Sequence, residues 1–335
     1  MNCVFIIPTG LGAEIGGHSG DATPAAKLIA AVCDNLIVHP NVVNAADINE
    51  MTDNMLYVEG SILTRFLDGK IELKKAKGNK ILLAVNEVTP AVVNAASAAR
   101  ATMGADITIV ELNRSLKMEG FLDPQSGLAT GTIKNAKEAI KQVQYLPFDV
   151  LVVHTPIRVD REVVFDYLEK PGGVNPWGWV EAQLSKIMSR ELNRPVIHAP
   201  VENMDMSEFN QAVDPRKAAE TVSTCYIHCC FKGAHVAPKI VHTGGDLRVQ
   251  DMDFLISPAG IWGPPHDACC AFGIPIIVVE ENTCVCRSDD AFFNAHEHNI
   301  IYVNNYLEAA GVVAAKKAGV VPASVRRPLE QTRII

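Results

Sequence analysis

The sequence lacks the features that mark several classes of protein. None of its apolar runs approaches the roughly 18 residues that a transmembrane helix needs, and Asn2 and Cys3 lead into an apolar stretch without the basic segment of a signal peptide. Only 6% of its 335 residues are aromatic, the formal net charge is -8, and Lys and Arg are not clustered. We therefore expect neither a nucleic acid nor a membrane as a partner.

The nine cysteines are too few for a disulfide scaffold. Their number is odd, and two pairs, Cys229-Cys230 and Cys269-Cys270, are adjacent in sequence, which disfavours bridges within each pair. This usage predicts a reduced, cytoplasmic protein.

What the chain does have is a regular alternation of short Val/Ile-rich runs with Ala-rich helical segments. The runs are apolar on both faces, which is typical of parallel strands covered by helices. We predict an α/β fold, doubly wound, with mostly parallel sheets flanked by helices in two Rossmann-like lobes. The expected divisions are an N-terminal lobe over 1–145, a C-terminal lobe over 146–321 and a tail over 322–335. Residues 116–132 are expected to lack regular structure.

A glycine-rich loop, PTGLGAEIGGHSGD, follows the first predicted strand. It does not match the dinucleotide fingerprint, because its third glycine comes one residue late and the helix begins after it. A nicotinamide cofactor is therefore not expected. Several backbone amides near a helix N-terminus can still bind a carboxylate or phosphate. The predicted anion-binding residues are Gly10, Gly12, Gly16, Gly17, His18 and Asp21; for Asp21 the alternative role is a helix N-cap.

Polar side chains follow several predicted strands, where ligands bind in open α/β sheets. Histidine and glutamate there are suited to proton transfer near neutral pH. The candidate catalytic residues are His154, His198, His242, Glu87, Glu202 and Cys284, with Cys269 as the only thiol nominated to face Cys284. The alternative is that strand ends are polar because they reach water.

Two further turns carry unusual residues. After GGVNP, one of the two tryptophans, Trp177 or Trp179, is predicted to cover a ligand or a subunit partner, or else to form a hydrophobic staple at the start of a helix. In GIWGPPHD, His266 and Asp267 are placed at a helix N-terminus. The glycines of HTGGD, Gly244 and Gly245, are added to the ligand-binding set. Strand-end histidines and carboxylates leave a divalent metal open, whereas the CYIHCC segment is interpreted as core.

These segments together resemble a bacterial family of about this length that is known only as a domain of unknown function. The motifs that carry the likeness are PTGLGAEIGGHSGDA, GGVNPWG and SPAGIWGPPHDA, and it extends over nearly the whole chain. The resemblance implies no reaction, cofactor or substrate. It implies that the three motifs belong to one site in a soluble intracellular protein.

The function we expect is a cytoplasmic enzyme that acts on a small anionic metabolite by His/Glu acid–base chemistry, as an isomerase, lyase or hydrolase. The alternatives are a nucleotide-sugar-dependent transferase or epimerase, and a metabolite-binding protein without catalysis. We expect the protein to be a homodimer.

Overall fold

Strands and helices alternate along the chain in the computed structural model, which describes residues 1–18, 21–45, 47–201, 212–222, 226–286, 290–329, 331–332 and 334. The strands are β1 Asn2–Phe5, β2 Asn35–Val38, β3 Met55–Tyr57, β4 Glu72–Lys74, β5 Lys80–Val85, β6 Asp106–Glu111, β7 Lys117–Leu122, β8 Ala129–Lys134, β9 Val150–His154, β10 Ile157–Arg158, β11 Val196–Ala199, β12 Lys239–Val241, β13 Phe254–Pro258, β14 Ile276–Val279 and β15 Ile300–Val303. The helices are α1 Thr23–Ala30, α2 Gly60–Leu67, α3 Pro90–Met103, α4 Ala136–Val143, α5 Arg161–Glu169, α6 Gly178–Leu192, α7 Ala218–Val222, α8 Tyr226–Val236, α9 Pro264–Phe272, α10 Asp290–Ala295 and α11 Tyr306–Lys317.

The two larger sheets are parallel throughout. One has six strands in the order β15-β14-β13-β1-β2-β3, and the other has four in the order β11-β9-β5-β6. Each takes strands from both sides of residue 145. The predicted α/β class with parallel sheets and flanking helices is confirmed, and the lobe boundaries stay a prediction.

Helices cover both faces of the six-stranded sheet, because its strands are apolar on both faces. Successive residues of β1 point to opposite sides: Phe5 packs in the cluster that contains α1 and α11, and Val4 packs in the cluster that contains α2 and α9. The first of these clusters continues through Phe231 of α8 to Leu83 of the four-stranded sheet. One apolar core therefore connects the two sheets.

The expectation for residues 116–132 was wrong. The segment forms most of an antiparallel hairpin, β7 with β8, to which β10 adds in parallel. The hairpin turn at 123–127 is closed by Asp123, whose backbone carbonyl accepts the N–H of Gly127 at 2.8 Å. A glycine-rich composition concealed the strands, because Gly120 and Gly131 lie opposite each other where Cβ atoms would clash with neighbouring backbone.

Short elements were also missed. Strand β3 has three residues and helix α2 eight, too little for periodicity to stand out. Among the described helices, none is both long and apolar enough to cross a bilayer.

Candidate functional site

A cavity of about 360 Å³ lies where the carboxyl ends of strands from both large sheets meet. Ile7 follows β1, His39 follows β2, and Glu59 follows β3, while His198 belongs to β11 of the other sheet. This is the position at which open α/β sheets bind ligands. The volume is at the small end of the range for small-molecule sites.

The three motifs expected to share a site do meet at this cavity. The glycine loop contributes Thr9 and Leu11, the NPWG segment contributes Gly178, and the GPPHD turn contributes Gly263 and its neighbours as far as His266. Three helices, α2, α6 and α9, begin at the cavity wall.

The NPWG segment positions α6. The side chain of Asn175 accepts hydrogen bonds from the N–H groups of Trp177 and Gly178, at 2.9 and 3.1 Å, and so caps the helix. Gly178 allows the glycine loop to approach closely, since a Cβ there would lie 2.9 Å from the side chain of Thr9. Trp177 itself packs edge-on against Tyr167, with 5.9 Å between ring centroids, and does not line the cavity.

One histidine of the cavity is arranged to hold an exchangeable proton. The Nε2 of His198 lies 2.9 Å from the carbonyl oxygen of Thr155, and its Nδ1 lies 3.1 Å from a carboxylate oxygen of Glu181. Because a carbonyl only accepts, Nε2 carries a proton. For the contact between Nδ1 and the carboxylate oxygen to be a hydrogen bond, a second proton must lie on the ring or on the carboxyl group of Glu181. The His198 side chain is 3% exposed and that of Glu181 27%.

Two other histidines at the cavity are held neutral. His39 accepts the N–H of Ile7 on Nε2 at 2.9 Å, and burial lowers its pKa to about 4. His266 accepts the N–H of Gly263 on Nδ1 at 3.2 Å, and burial also lowers its pKa to about 4. These rings complete the turns at strand ends and are poor sources of a proton near neutral pH.

A buried serine lies beside His266 but is not an activated nucleophile. The distance from Ser257 Oγ to His266 Nε2 is 2.8 Å. Because Nδ1 accepts from Gly263, Nε2 carries the ring proton and donates it to the serine. The Ser257 hydroxyl is itself within 3.2 Å of the Pro258 carbonyl, so its proton has an acceptor. A catalytic Ser-His pair needs the opposite polarity.

Trp262 lines the cavity and has several side-chain partners. The rings of His266 and His296 stack with it at centroid distances of 5.1 and 5.2 Å, and Asp267 accepts its indole N–H at 2.7 Å. Asp267 is exposed and outside the cavity lining, so the structure gives it a supporting position rather than a ligand contact.

Sequence reasoning missed Glu59 and Glu181. Glu59 is the N-cap of α2, where its carboxylate accepts the N–H groups of Ser61 and Ile62, and burial raises its pKa. An acidic residue directly before a short apolar run, as Glu59 is here, could have indicated a helix N-cap. It was overlooked because β3, the strand that precedes it, had not been predicted. Glu181 lies in the first turn of α6. It does not follow a strand, so the pattern of polar residues at strand ends did not indicate it.

Several backbone amides of the glycine loop are already paired within the protein. The N–H of Glu14 donates to Thr283 at 2.8 Å, that of Ile15 to Asn282 at 2.9 Å, and that of Gly16 to Asp21 at 2.7 Å. Asp21 also accepts the N–H of His18. The anion in the loop is therefore a side chain of the protein, and Asp21 makes no cap for α1.

The glycines themselves are explained by conformation and packing. Gly10, Gly12 and Gly16 have φ of +76°, +62° and +83°, a region that L side chains rarely adopt. At Gly17, a Cβ would lie 2.1 Å from the carbonyl oxygen of Ala13. None of the predicted anion-binding residues of this loop lines the cavity, although Thr9 and Leu11 of the same loop do.

His18 belongs to a separate buried cluster behind the loop. Its Nδ1 lies 2.9 Å from the hydroxyl of Tyr167, which donates to Glu220 at 3.2 Å. Burial, with Lys217 nearby, lowers the pKa of His18 to about 4.

Several predicted residues lie away from the cavity. His154 bonds the carbonyl of Ala199 at 3.1 Å, and Glu87 is exposed after β5. Cys284 is buried, and its backbone forms an isolated antiparallel β-bridge with that of Ala13. Cys269 packs in the cluster on the other side of the six-stranded sheet, where burial raises its pKa, so the two thiols do not face each other. Glu202 lies outside the described residues.

The HTGGD turn lies at the opposite edge of the sheet. Gly244 and Gly245 share an open cleft with Asn2 and Asn35, the first residues of β1 and β2. The N–H of Gly245 donates to Glu72 at 2.7 Å. His242, which precedes this turn, is exposed. The structure therefore separates this turn from the cavity. Within the described part of the chain, no three His, Cys, Asp or Glu side chains are grouped to hold a metal ion.

The fold is that of an α/β protein with a cavity at the carboxyl ends of the strands of two parallel sheets. A family model described as Protein of unknown function (DUF3326) matches residues 2–326, and the chain belongs to that family. A Synechococcus protein named as an uncharacterized lipoprotein is 31% identical over 342 residues, covering 97% of this chain and 93% of that protein. The resemblance noted from the turn motifs is thereby confirmed.

Asp21→Asn tests whether the loop encloses a buried acid. Burial raises the pKa of Asp21 from 3.8 to about 7, so the stability it contributes is present below pH 4 and is lost as the pH rises through 7. Between pH 5 and 8, the free energy of unfolding of the wild type should fall relative to Asp21→Asn by on the order of 2 kcal/mol. Urea titrations at both pH values measure this, with Asp53→Asn as the exposed control. A difference that does not change with pH contradicts the assignment.

Gly17→Ala tests the packing of the loop. The added methyl would collide with backbone, which does not yield, so we expect a loss of about 1–3 kcal/mol of unfolding free energy. Gly311→Ala, within α11, meets nothing within 4 Å and should stabilise by about 1 kcal/mol. Chemical denaturation of both variants compares them; a Gly17→Ala protein as stable as the wild type would contradict the described loop.

Proposed function

We propose that this protein is an enzyme that transfers protons on a small anionic metabolite bound in the cavity. The observation that carries the proposal is the 3.1 Å contact between Glu181 and Nδ1 of His198 at the wall of the cavity. Glu181 is the partly exposed member and acts on the substrate, while His198 stores the proton and orients the carboxyl group.

The chemistry that fits one such pair is proton abstraction next to a carbonyl group. The Glu181 carboxylate removes a proton from the carbon beside the carbonyl, and the electron pair moves onto the carbonyl oxygen to give an enolate. Glu181 then returns a proton to the same carbon or to a neighbouring one, so that no co-reactant is consumed. An isomerase uses the full sequence, and a lyase shares its first step.

An acid group on the substrate is favoured by the helices around the cavity. The N-termini of α6 and α9 reach the wall, and each carries partial positive charge, whereas the N-terminus of α2 is occupied by the carboxylate of Glu59. No Lys or Arg belongs to the described lining, so this field is the main attraction for an anion.

Glu181→Gln tests the proposed catalysis. In D₂O, the wild type should accelerate the exchange of the C3 protons of 4-methyl-2-oxopentanoate or of another small 2-oxo acid, followed by proton NMR. Loss of the carboxylate should slow this exchange about 100-fold or more, because an amide cannot accept the proton. Glu191→Gln, on the exposed side of α6, is the matched control and should keep full activity. Exchange that persists in Glu181→Gln overturns the assignment; binding of such acids without exchange would favour a binding protein.

A cytoplasmic location and a homodimer complete the proposal. The location rests on the odd number of cysteines and their adjacent pairs. The Synechococcus relative is named a lipoprotein, and a shared lipid anchor would place this protein with membranes. Fractionation of the expressing cells should recover it in the soluble fraction; recovery with membranes that resists salt contradicts this. Native mass spectrometry of that fraction measures the oligomer.

A further inference from the structure

Ser185 is a cavity residue that the mechanism above does not use. It lies on α6 four residues after Glu181, and both residues line the cavity. Side chains at this spacing are neighbours on a helix, with Cβ atoms about 5–6 Å apart. Ser185 is 7% exposed, and its hydroxyl is not among the side-chain groups that are fully buried without a partner. A hydroxyl at the wall of a cavity can donate a hydrogen bond to a ligand that occupies it.

The charge of the lining limits what the ligand carries. The carboxyl groups of Glu59 and Glu181 are both part of it, and the described lining contains no Lys or Arg to oppose them. Glu59 already occupies the N-terminal amides of α2. One negative charge on the ligand is compatible with the helix dipoles of α6 and α9. A second negative charge would be repelled by the carboxyl groups of the lining, with no Lys or Arg there to offset the repulsion.

The shape and polarity of the cavity limit the rest of the molecule. Ile6, Leu63, Ile261 and Trp262 give the walls an apolar surface, which suits an apolar body. A volume of about 360 Å³ admits a small metabolite.

We propose that Ser185 is the substrate-anchoring residue of this site, and that the substrate is a small carbonyl-bearing monocarboxylic acid with an apolar body. The Ser185 hydroxyl donates a hydrogen bond to the carbonyl oxygen, one helical turn from Glu181. The adjacent carbon then lies beside the carboxyl group that removes its proton, and the developing enolate oxygen keeps the same donor. This assignment rests on the proposed function, since it takes Glu181 as the proton acceptor.

Two acids of similar size test the proposal, 4-methyl-2-oxopentanoate with one charge and 2-oxoglutarate with two. Calorimetric titration of the wild type should show the first acid binding at least about tenfold more tightly. Ser185→Ala should weaken its binding about three- to tenfold, as expected for one lost hydrogen bond. Glu59→Gln should improve 2-oxoglutarate binding, because a repelling charge is removed. Ser97→Ala, exposed on α3, is the matched control and should change nothing.

The results separate this inference from the proposed function. Equal or tighter binding of 2-oxoglutarate, binding of neither acid, or unchanged affinity in Ser185→Ala overturns the substrate class or the anchor. The deuterium exchange of the wild type and of Glu181→Gln is measured independently. Exchange lost in Glu181→Gln together with unchanged binding in Ser185→Ala leaves the proton-transfer function standing and removes the Ser185 assignment. Exchange retained in Glu181→Gln removes the proton-transfer function itself.

Discussion

The parallel pairing of β1 between β2 and β13 is the constraint on which the site depends. It brings residues from the start of the chain and from beyond residue 250 to one edge of one sheet. The N–H of Ile7, just after β1, is thereby satisfied by His39, which follows β2. Because all the strands of this sheet run the same way, their carboxyl ends open onto one space, which α6 and β11 close from the other sheet.

Polar groups in this protein are divided between those that complete the fold and those that remain available. Asp21 fills the glycine loop, Glu59 caps α2, and His39 and His266 accept backbone N–H groups. Each of these side chains accepts hydrogen bonds from backbone N–H groups. A buried N–H group left without a partner would cost about 1–3 kcal/mol of folding free energy. Glu181 differs because its partner is another titratable side chain, and such a pair can gain or lose a proton without exposing an unpaired backbone group.

A second group of ionisable side chains lies outside the cavity. The members of the buried cluster of His18, Tyr167 and Lys217 satisfy one another: Tyr167 bonds His18 and Glu220, and Lys217 donates to backbone carbonyls. The cavity is also lined by histidines and carboxyl groups, but it offers space for a ligand beside them. This space distinguishes the cavity from the satisfied cluster.

The sequence by itself determined the α/β class, the parallel strands, the family and the three turn motifs that meet at the cavity, because periodicity and turn residues act locally. It also pointed to His198 and His266. It did not identify Glu181 or Ser185, which lie on a helix face like any other until β11 packs against it. It did not show that the N–H of Gly16 is occupied by Asp21, since an amide free in sequence can be paired with a side chain of the same protein. Only the tertiary structure decided which strand ends lie side by side and which polar groups line the cavity. Both depend on contacts between residues that are far apart in the chain.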